Sequence, residues 1–412
     1  MTIADVDKAP LEGRAAVEAA ARSYPFAVRQ AFAFAANLDH GRLEVVMPDG
    51  ARFAFGVAGT GLAAVMHVRD AAFAARLAAG DIGIAEGYLA GEWDTPDLTQ
   101  FLKLFCINRA MMDKMLDGRP LMRFSQLLLH WLNRNTKAGS RRNIEAHYDL
   151  GNAFYAAWLD PSMSYSSALF ADGETDLEQG QTAKYRALAE RIGLCAHHHV
   201  LEIGCGWGGF AQFAAREVGC RVTALTISPA QHAFARERIA QAGLADRVSI
   251  ELRDYRDERG SYDRIVSIEM FEAVGEAYWP LYFRQLRARL VPGGIAGLQV
   301  ITIRESLFKS YRRELDFIRR YVFPGGMLPT RDVMRALGER YGVTLTGERA
   351  FGRDYATTLG IWRAAFRAAW PHLTTLGFDE RFRRLWEYYF AYCEAGFLTE
   401  MVDVRQMVFA RV

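Results

Sequence analysis

No run of eighteen apolar residues occurs in the 412-residue chain, which excludes a membrane-spanning helix. Cysteine is scarce: Cys106, Cys195, Cys205, Cys220 and Cys393 are odd in number, widely spaced and form no CxxC pair. That argues against a disulfide framework or a Cys-rich zinc site, and no metal centre is expected. Excess charge is absent too. Lys plus Arg number 50 and Asp plus Glu 48, a net +2, which gives no support to bulk nucleic-acid binding. The opening stretch MTIADVDKAPLEGR has no basic region followed by an apolar core, so no signal peptide is expected. The expected location is the cytoplasm, peripherally at the inner face of a membrane. Internal repeats and low-complexity blocks are also missing.

What remains is an ordinary globular composition, 51% hydrophobic and 24% charged, at a length that points to two domains. Residues 1–105 open on an Ala-rich helical pattern. LEVVMPDGARFAFG follows, two strand-like runs around Pro48-Asp49-Gly50 that read as a β-hairpin, and then more helical sequence, making a small α+β domain. Residues 106–142 read as a helical connector ending in the basic tract NRNTKAGSRRN. That tract is either a solvated linker or a contact for anionic lipid head groups.

From residue 195 strands and helices alternate. Strands are expected at 199–203, 221–226, 248–252, 264–268 and 295–301, and helices at 207–216, 229–241 and 278–290. Such alternation implies a parallel sheet covered on both faces. Beyond 305 the chain is rich in Arg and aromatics and reads mostly helical.

The sharpest signal is VLEIGCGWGG at 200–209, an apolar strand running through Glu202 into a turn with Gly204, Gly206 and Gly208 that opens a helix. The glycines permit a tight turn and close approach of a ligand to backbone. The pattern GxGxGG with an acid two residues upstream suits S-adenosyl-L-methionine (SAM) better than a pyrophosphate. The second strand ends in Thr226-Ile227-Ser228, where a ribose contact is expected, joined by Gln231. Ser228, Pro229 and Gln231 also form a capping box, and both roles are compatible. Asp254 and Tyr255 follow the third strand, placed to meet adenine, although Asp254 alternatively makes an Asx turn.

The segments HYDLGNAFY, DPSMSYSS, VLEIGCGWGGFA, LTISPAQ, DYRD, IVSIEMFEAVG, YVFPGGMLP and FGRDY resemble those of the cyclopropane-fatty-acyl-phospholipid synthase family, which includes the mycolic-acid cyclopropane synthases and related lipid C-methyltransferases. The resemblance runs through roughly residues 130–400 and is loose over the first hundred. It implies an α/β, Rossmann-like SAM-dependent methyltransferase domain at 143–412 with helical insertions, behind a smaller N-terminal α+β domain of lipid-carrier type. The implied activity is one-carbon transfer from SAM to the cis double bond of an unsaturated phospholipid acyl chain, giving a cyclopropane. The implied base is a bound bicarbonate held by a Cys, a Glu, a His, a Tyr and a backbone group. Position by position, the Glu is Glu272, the Tyr is Tyr355 and the backbone group is Ile301, while Tyr165 and Ser166 match a pair near the SAM carboxylate. The family's Cys is here Ser167 and its His is Gln299. A homodimer is common in the family.

Ser167 and Gln299 still offer donors to an anion, but neither titrates near neutral pH, so neither is a base by itself. Glu272 titrates, and burial lifts a carboxyl toward neutrality. Two routes follow: bicarbonate stays the base with Ser167 and Gln299 as replacement ligands, or proton removal is rerouted toward a methyl-branched or methylene product. Structural alternatives stand beside these roles: Glu272 as an acid at a helix N-terminus, Gln299 as a core-edge amide, Ser166 as a turn cap, Tyr355 as packing and Cys393 as a small buried hydrophobe. Aromatic faces at Tyr165, Phe271, Tyr355, Tyr388 and Tyr389 are candidates to stabilise a carbocation. FKSYRRELDFIRRYVF at 308–323 carries Lys309, Arg312, Arg313, Arg319 and Arg320 among aromatics, reading either as an anionic-membrane contact or as an amphipathic core helix. The competing classes are a methyltransferase for a small soluble acceptor and an inactive lipid- or SAM-binding protein.

Overall fold

The computed structural model describes residues 9–57, 59, 61–109, 111, 150–171 and 175–411. Most of the 106–142 connector, the basic tract and residues 147–149 of the first resembling segment lie outside them. The chain forms two units, one of Met1–Gln126 with Gly377–Thr399 and one of Leu127–Leu376 with Glu400–Val412. The sequence boundary at 143–412 therefore differs from the observed grouping: the helix Glu380–Leu398 belongs with the N-terminal unit.

In that unit, β1 (Arg42–Val46) and β2 (Arg52–Gly56) form the expected antiparallel hairpin, and its loop closes through Met47 N donating to Ala51 O at 2.8 Å. β3 (Ala63–Val68) runs parallel to β1, and β4 (Trp93–Asp94) completes the order β2-β1-β3-β4. The helix Glu380–Leu398 packs on Leu98–Ile107 and Asp81–Leu89, and its Arg384 donates to the carbonyls of Tyr88 and Trp93.

The larger unit is built on seven strands: β5 (His199–Ile203), β6 (Arg221–Thr226), β7 (Val248–Leu252), β8 (Tyr262–Ile268), β9 (Leu290–Ile303), β10 (Thr344–Ala350) and β11 (Val402–Ala410), in the order β10-β11-β9-β8-β5-β6-β7. Strands β5 to β9 pair parallel, and β11 runs antiparallel to both β9 and β10. Alternate residues of β5 feed two cores. Val200 joins Leu188, Ile192 and Ile239 on one face, while Leu201 and Ile203 join Ile265, Phe283 and Leu286 on the other. Connections leave β5 and β8 in opposite directions, so a crevice opens between their carboxyl ends, the place where open α/β sheets bind ligands.

Four expected elements match in full: the strands at 199–203, 221–226 and 248–252 and the helix at 229–241. The helix expected at 207–216 is shorter, Gly209–Phe213, and passes into a π-turn over Ala214–Val218. The mostly helical reading beyond 305 holds for Glu305–Tyr311, Phe317–Tyr321, Arg331–Tyr341, Gly352–Thr375 and Glu380–Leu398, but it misses β10 and β11. Charge hid β11: Arg405 pairs with Asp403 at 2.9 Å along the strand, while Val404 and Gln406 to Phe409 are buried.

Candidate active site

Two loops leave the sheet at the switch point. The first, after β5, holds Gly204, Gly206 and Gly208 at φ +83°, +53° and +83°, values that L side chains rarely adopt. A Cβ on Gly204 would stand 2.6 Å from Met270 Cγ, so this bend and the loop after β8 are in close contact. The glycine spacing thus has a conformational cause as well as a steric one. Glu202 precedes the bend with 3% of its surface exposed, and burial pushes its carboxyl up to about 8. Its Oε2 is buried with no hydrogen-bond partner among the described residues.

After β6, Ser228 Oγ accepts from Gln231 N, which is the capping box read from the sequence, with Pro229 in the first turn. Gln231 Oε1 accepts from Thr226 Oγ1 at 3.0 Å, so Thr226 and Gln231 present one joined polar surface beside Ile227. After β7, Asp254 takes the Asx role. Its Oδ1 accepts from Arg256 N at 2.9 Å and its Oδ2 pairs with Arg256 at 2.6 Å. That carboxylate shapes the loop, and Tyr255 beside it packs edge-on against Tyr282.

The second loop, after β8, carries the residue that the sequence reading missed. Glu269 sits at φ +48°, uncommon for a residue with a side chain, and is anchored by its N–H donating to Gln299 O at 2.8 Å. Its Oε1 accepts from Ser167 N at 2.9 Å and from Gln299 Nε2 at 2.8 Å, and its Oε2 accepts from Tyr355 O–H at 2.7 Å. Three donors from three separate segments converge on one buried carboxylate. Burial raises its pKa, while Lys184, Tyr355, Gln299 and the Ser167 N–H pull it back down.

Glu272, three residues on, behaves differently. Its Oε1 accepts from Ile301 N at 2.5 Å and its Oε2 has no partner among the described residues. Burial, reinforced by repulsion from Glu269, pushes it up to about 8, so at neutral pH it carries a proton. Glu272, expected as one of the groups holding the base, is thus a buried acid, and the carboxylate on which the donors converge is Glu269. Tyr355 and the Ile301 N–H each serve a carboxylate of the chain itself, Glu269 and Glu272 respectively.

The same geometry bears on bicarbonate. Ser167 Oγ donates to Ala168 O, and the Ser167 N–H and the Gln299 amide are both taken by Glu269. The donors left to hold an external anion are already satisfied, so these residues do not fit a bound bicarbonate. The signal for this was present in IEMFEAVG, where two carboxylates follow the strand three positions apart, together with the loss of the Cys and the His at 167 and 299.

Ser166 Oγ accepts from Lys184 Nζ at 2.6 Å rather than capping a turn. Tyr165 lies in an aromatic group, its ring centroid 5.5 Å from Tyr155, 5.6 Å from Trp158 and 5.4 Å from Trp362, which in turn lies 6.1 Å from Tyr355. This group suits a transient hydrocarbon cation. Phe271 does not join it, being stacked into the core against Trp279, Tyr282 and Phe283. Tyr388 and Tyr389 belong to the N-terminal unit. In the 308–323 stretch Arg319 is buried, with its guanidinium over Tyr311 and bonded to Tyr311 O, so it is no surface contact; Lys309, Arg313 and Arg320 are exposed.

Residues 135–407 match the family model described as mycolic acid cyclopropane synthetase. The chain belongs to this family. It is 38% identical over 351 residues to the tuberculostearic acid methyltransferase of Mycobacterium tuberculosis, covering 81% of this chain and 79% of that one. It is 35% identical over 337 residues to the cyclopropane-fatty-acyl-phospholipid synthase of Escherichia coli, covering 81% and 84%. Among solved structures, the mycolic acid cyclopropane synthase CmaA1 complexed with SAH and CTAB aligns with a TM-score of 0.62 at 29% identity, over 66% of this chain and 98% of that one. The protein is thus a SAM-dependent methyltransferase of the lipid-modifying type, with the α/β architecture described above and SAM as its cofactor. The glycine bend, the buried acid Glu202 and the polar pair Thr226–Gln231 fit that cofactor. No helix among the described residues is long and apolar enough to cross a membrane.

Proposed function

We propose that this protein transfers the methyl group of SAM to the cis double bond of a phospholipid acyl chain, and that Glu269 accepts the proton lost on the way to a cyclopropane. One observation carries the reading: Glu269 supplies a buried carboxylate that accepts three hydrogen bonds, two on Oε1 and one on Oε2, at the switch point, beside the glycine bend and where an external base would otherwise be needed.

The cofactor, when bound, supplies an electrophilic methyl on a sulfonium. In this reading the bend at Gly204–Gly208 receives it, with Tyr165 and Ser166 toward its amino-acid end, Thr226, Ile227 and Gln231 toward the ribose and Tyr255 against the adenine. The methyl, once given up to the alkene π pair with loss of the carbon–sulfur bond, would leave a carbocation on the lipid. The rings of Tyr165, Trp158, Trp362 and Tyr355 shield that cation from water and face it with π density. The Glu269 carboxylate then takes a proton from the transferred methyl, and the freed C–H pair closes the third ring bond. Tyr355 and Gln299 hold the carboxylate in place, as a general base requires. Lys309, Arg313 and Arg320 offer charge to an anionic bilayer surface.

A second reading is favoured by the likeness to the tuberculostearic acid methyltransferase. A hydride shift to the cationic carbon before proton loss places the cation on the methyl-bearing carbon, and the same base then gives a methylene group. The experiment that tests both offers vesicles of cis-unsaturated phospholipid with SAM bearing a trideuterated methyl. Esters that retain two deuteriums are expected, and ozonolysis separates ring from methylene. Unlabelled lipid throughout would overturn the reading in favour of a protein that binds without turnover.

A further inference from the structure

Lys184 has no place in the mechanism above, yet it is among the most deeply buried cations of the chain. It stands on the helix Leu177–Arg191 with none of its surface exposed. Its ammonium donates to Ser166 Oγ at 2.6 Å and to Gln181 Oε1 at 2.5 Å, both neutral, and lies 4.6 Å from the centre of the Tyr185 ring. A buried charge without an ion partner in contact is costly, and it persists where a longer-range charge compensates it.

Two hydrogen-bonded routes lead from this lysine to Glu269. On one side Lys184 Nζ fixes Ser166, and the next residue, Ser167, donates its N–H to Glu269. On the other side Gln406 Nε2 donates to Lys184 O at 3.0 Å and to Gln299 Oε1 at 3.2 Å, and Gln299 donates to Glu269. The lysine thus closes a ring of contacts around the carboxylate.

We propose that Lys184 is a positioning residue for proton transfer: its ammonium is the counter-charge that keeps Glu269 ionised and holds the Ser166–Ser167 segment against it. The inference rests on Glu269 being the base. The groups that bear on the pair are Glu272 and Tyr355 on the Glu269 side, and Asp160, Glu202 and Tyr185 on the lysine side. Glu272 is protonated at neutral pH and adds little charge. Burial lowers Lys184 to about 8, so it remains mostly cationic at pH 7, and attraction to Glu269 is the first influence holding it up. Its link to Ser166 also ties the base to the segment proposed to meet the cofactor's carboxylate.

The test replaces charge while keeping hydrogen bonding. In Lys184→Gln the acid limb of the kcat profile should move up by a pH unit or more. Turnover on the acid side of the wild-type limb should fall by about tenfold for each pH unit the limb moves and recover toward the wild-type value at higher pH. A merely structural lysine would lower kcat equally at every pH or weaken SAM binding alone, and an unmoved limb overturns the proposal. Lys184→Met repeats the test if the glutamine variant does not fold. If neither folds, the infrared difference between wild type and Glu269→Gln at neutral pH decides. An ionised-carboxylate band upholds the proposal, and a carboxylic-acid band overturns it. Failure of the underlying reading is separable: Glu269→Gln that still turns over removes the base, whereas an inactive Glu269→Gln with an unmoved Lys184→Gln limb removes only the lysine's role.

Discussion

The Tyr355 hydroxyl donates to Glu269 Oε2 at 2.7 Å, joining the helix Gly352–Thr375 to the loop after β8 across 86 positions of sequence. A hydrogen bond to an ionised, buried acceptor is worth about 1.5–3 kcal/mol. Tyr355→Phe removes the donor and keeps the ring. The carboxylate loses stabilisation relative to its acid form, so the acid limb of kcat should shift to higher pH. On the acid side of the limb turnover should fall by about 10- to 100-fold with SAM affinity little changed, a comparison that steady-state kinetics and calorimetry make directly.

Glu272 makes a prediction about stability. Its carboxyl titrates at about 8 in the folded protein against 4.5 as the ordinary value, because it is buried and faces Glu269. Between those values the folded state holds a proton that the unfolded chain has released, so stability falls as pH rises through this window and levels off above it. At about 1.4 kcal/mol per pKa unit, the loss amounts to a few kcal/mol. Glu202 has the same sign and window. Lys184, lowered from 10.5 to about 8, acts oppositely and only above pH 8, where stability is regained as pH rises. Urea unfolding of the cofactor-free protein should therefore show a midpoint that drops from pH 5 to pH 8, and Glu272→Gln should flatten that slope.

The parts of the site set by local pattern were legible in the sequence. The glycine bend needs its residues within a few positions, and the Ser228–Gln231 cap is a local motif. Glu269 was not legible in the same way. Its donors, Ser167, Gln299 and Tyr355, lie 102, 30 and 86 positions away, and only the sheet order and the long helix bring them together. The carried-over pattern directed attention to Glu272, whose carboxyl is pushed up to about 8 by burial and by Glu269. Asp254 illustrates the converse: two residues separate it from Arg256, and that local pair absorbs the charge expected at the cofactor.

Gly204→Ala should damage the bend in two separable ways. The backbone at φ +83° costs a side-chain-bearing residue about 1–3 kcal/mol, and the new Cβ meets Met270 Cγ at 2.6 Å. SAM binding measured by calorimetry should weaken tenfold or more. Adding Met270→Ala relieves the steric part alone, so the double variant should recover some thermal stability and only part of the affinity. Full recovery would mean that the backbone conformation is irrelevant to the cofactor.

Glu269→Gly offers the most direct test of a carboxylate built into the chain. Glycine adopts φ +48° without strain, which returns roughly 1 kcal/mol, but the buried donors left unpaired cost about 1–3 kcal/mol each, so the variant should be less stable than wild type while keeping the loop's shape. Removing the side chain strips the base and frees the Ser167 N–H, the Gln299 amide and the Tyr355 hydroxyl at once. Turnover should fall by about 10²–10⁴. The vacated donors would then suit a small planar anion, whereas in wild type Glu269 already takes all three. Added bicarbonate or formate should restore a measurable fraction of activity to Glu269→Gly in a saturable manner, and should leave wild type unaffected. Rescue of Glu269→Gly but not of Glu269→Gln, whose amide still fills the space, would locate the reacting carboxylate at this one position. Equal response of wild type to bicarbonate would mean that the chain uses an external anion after all.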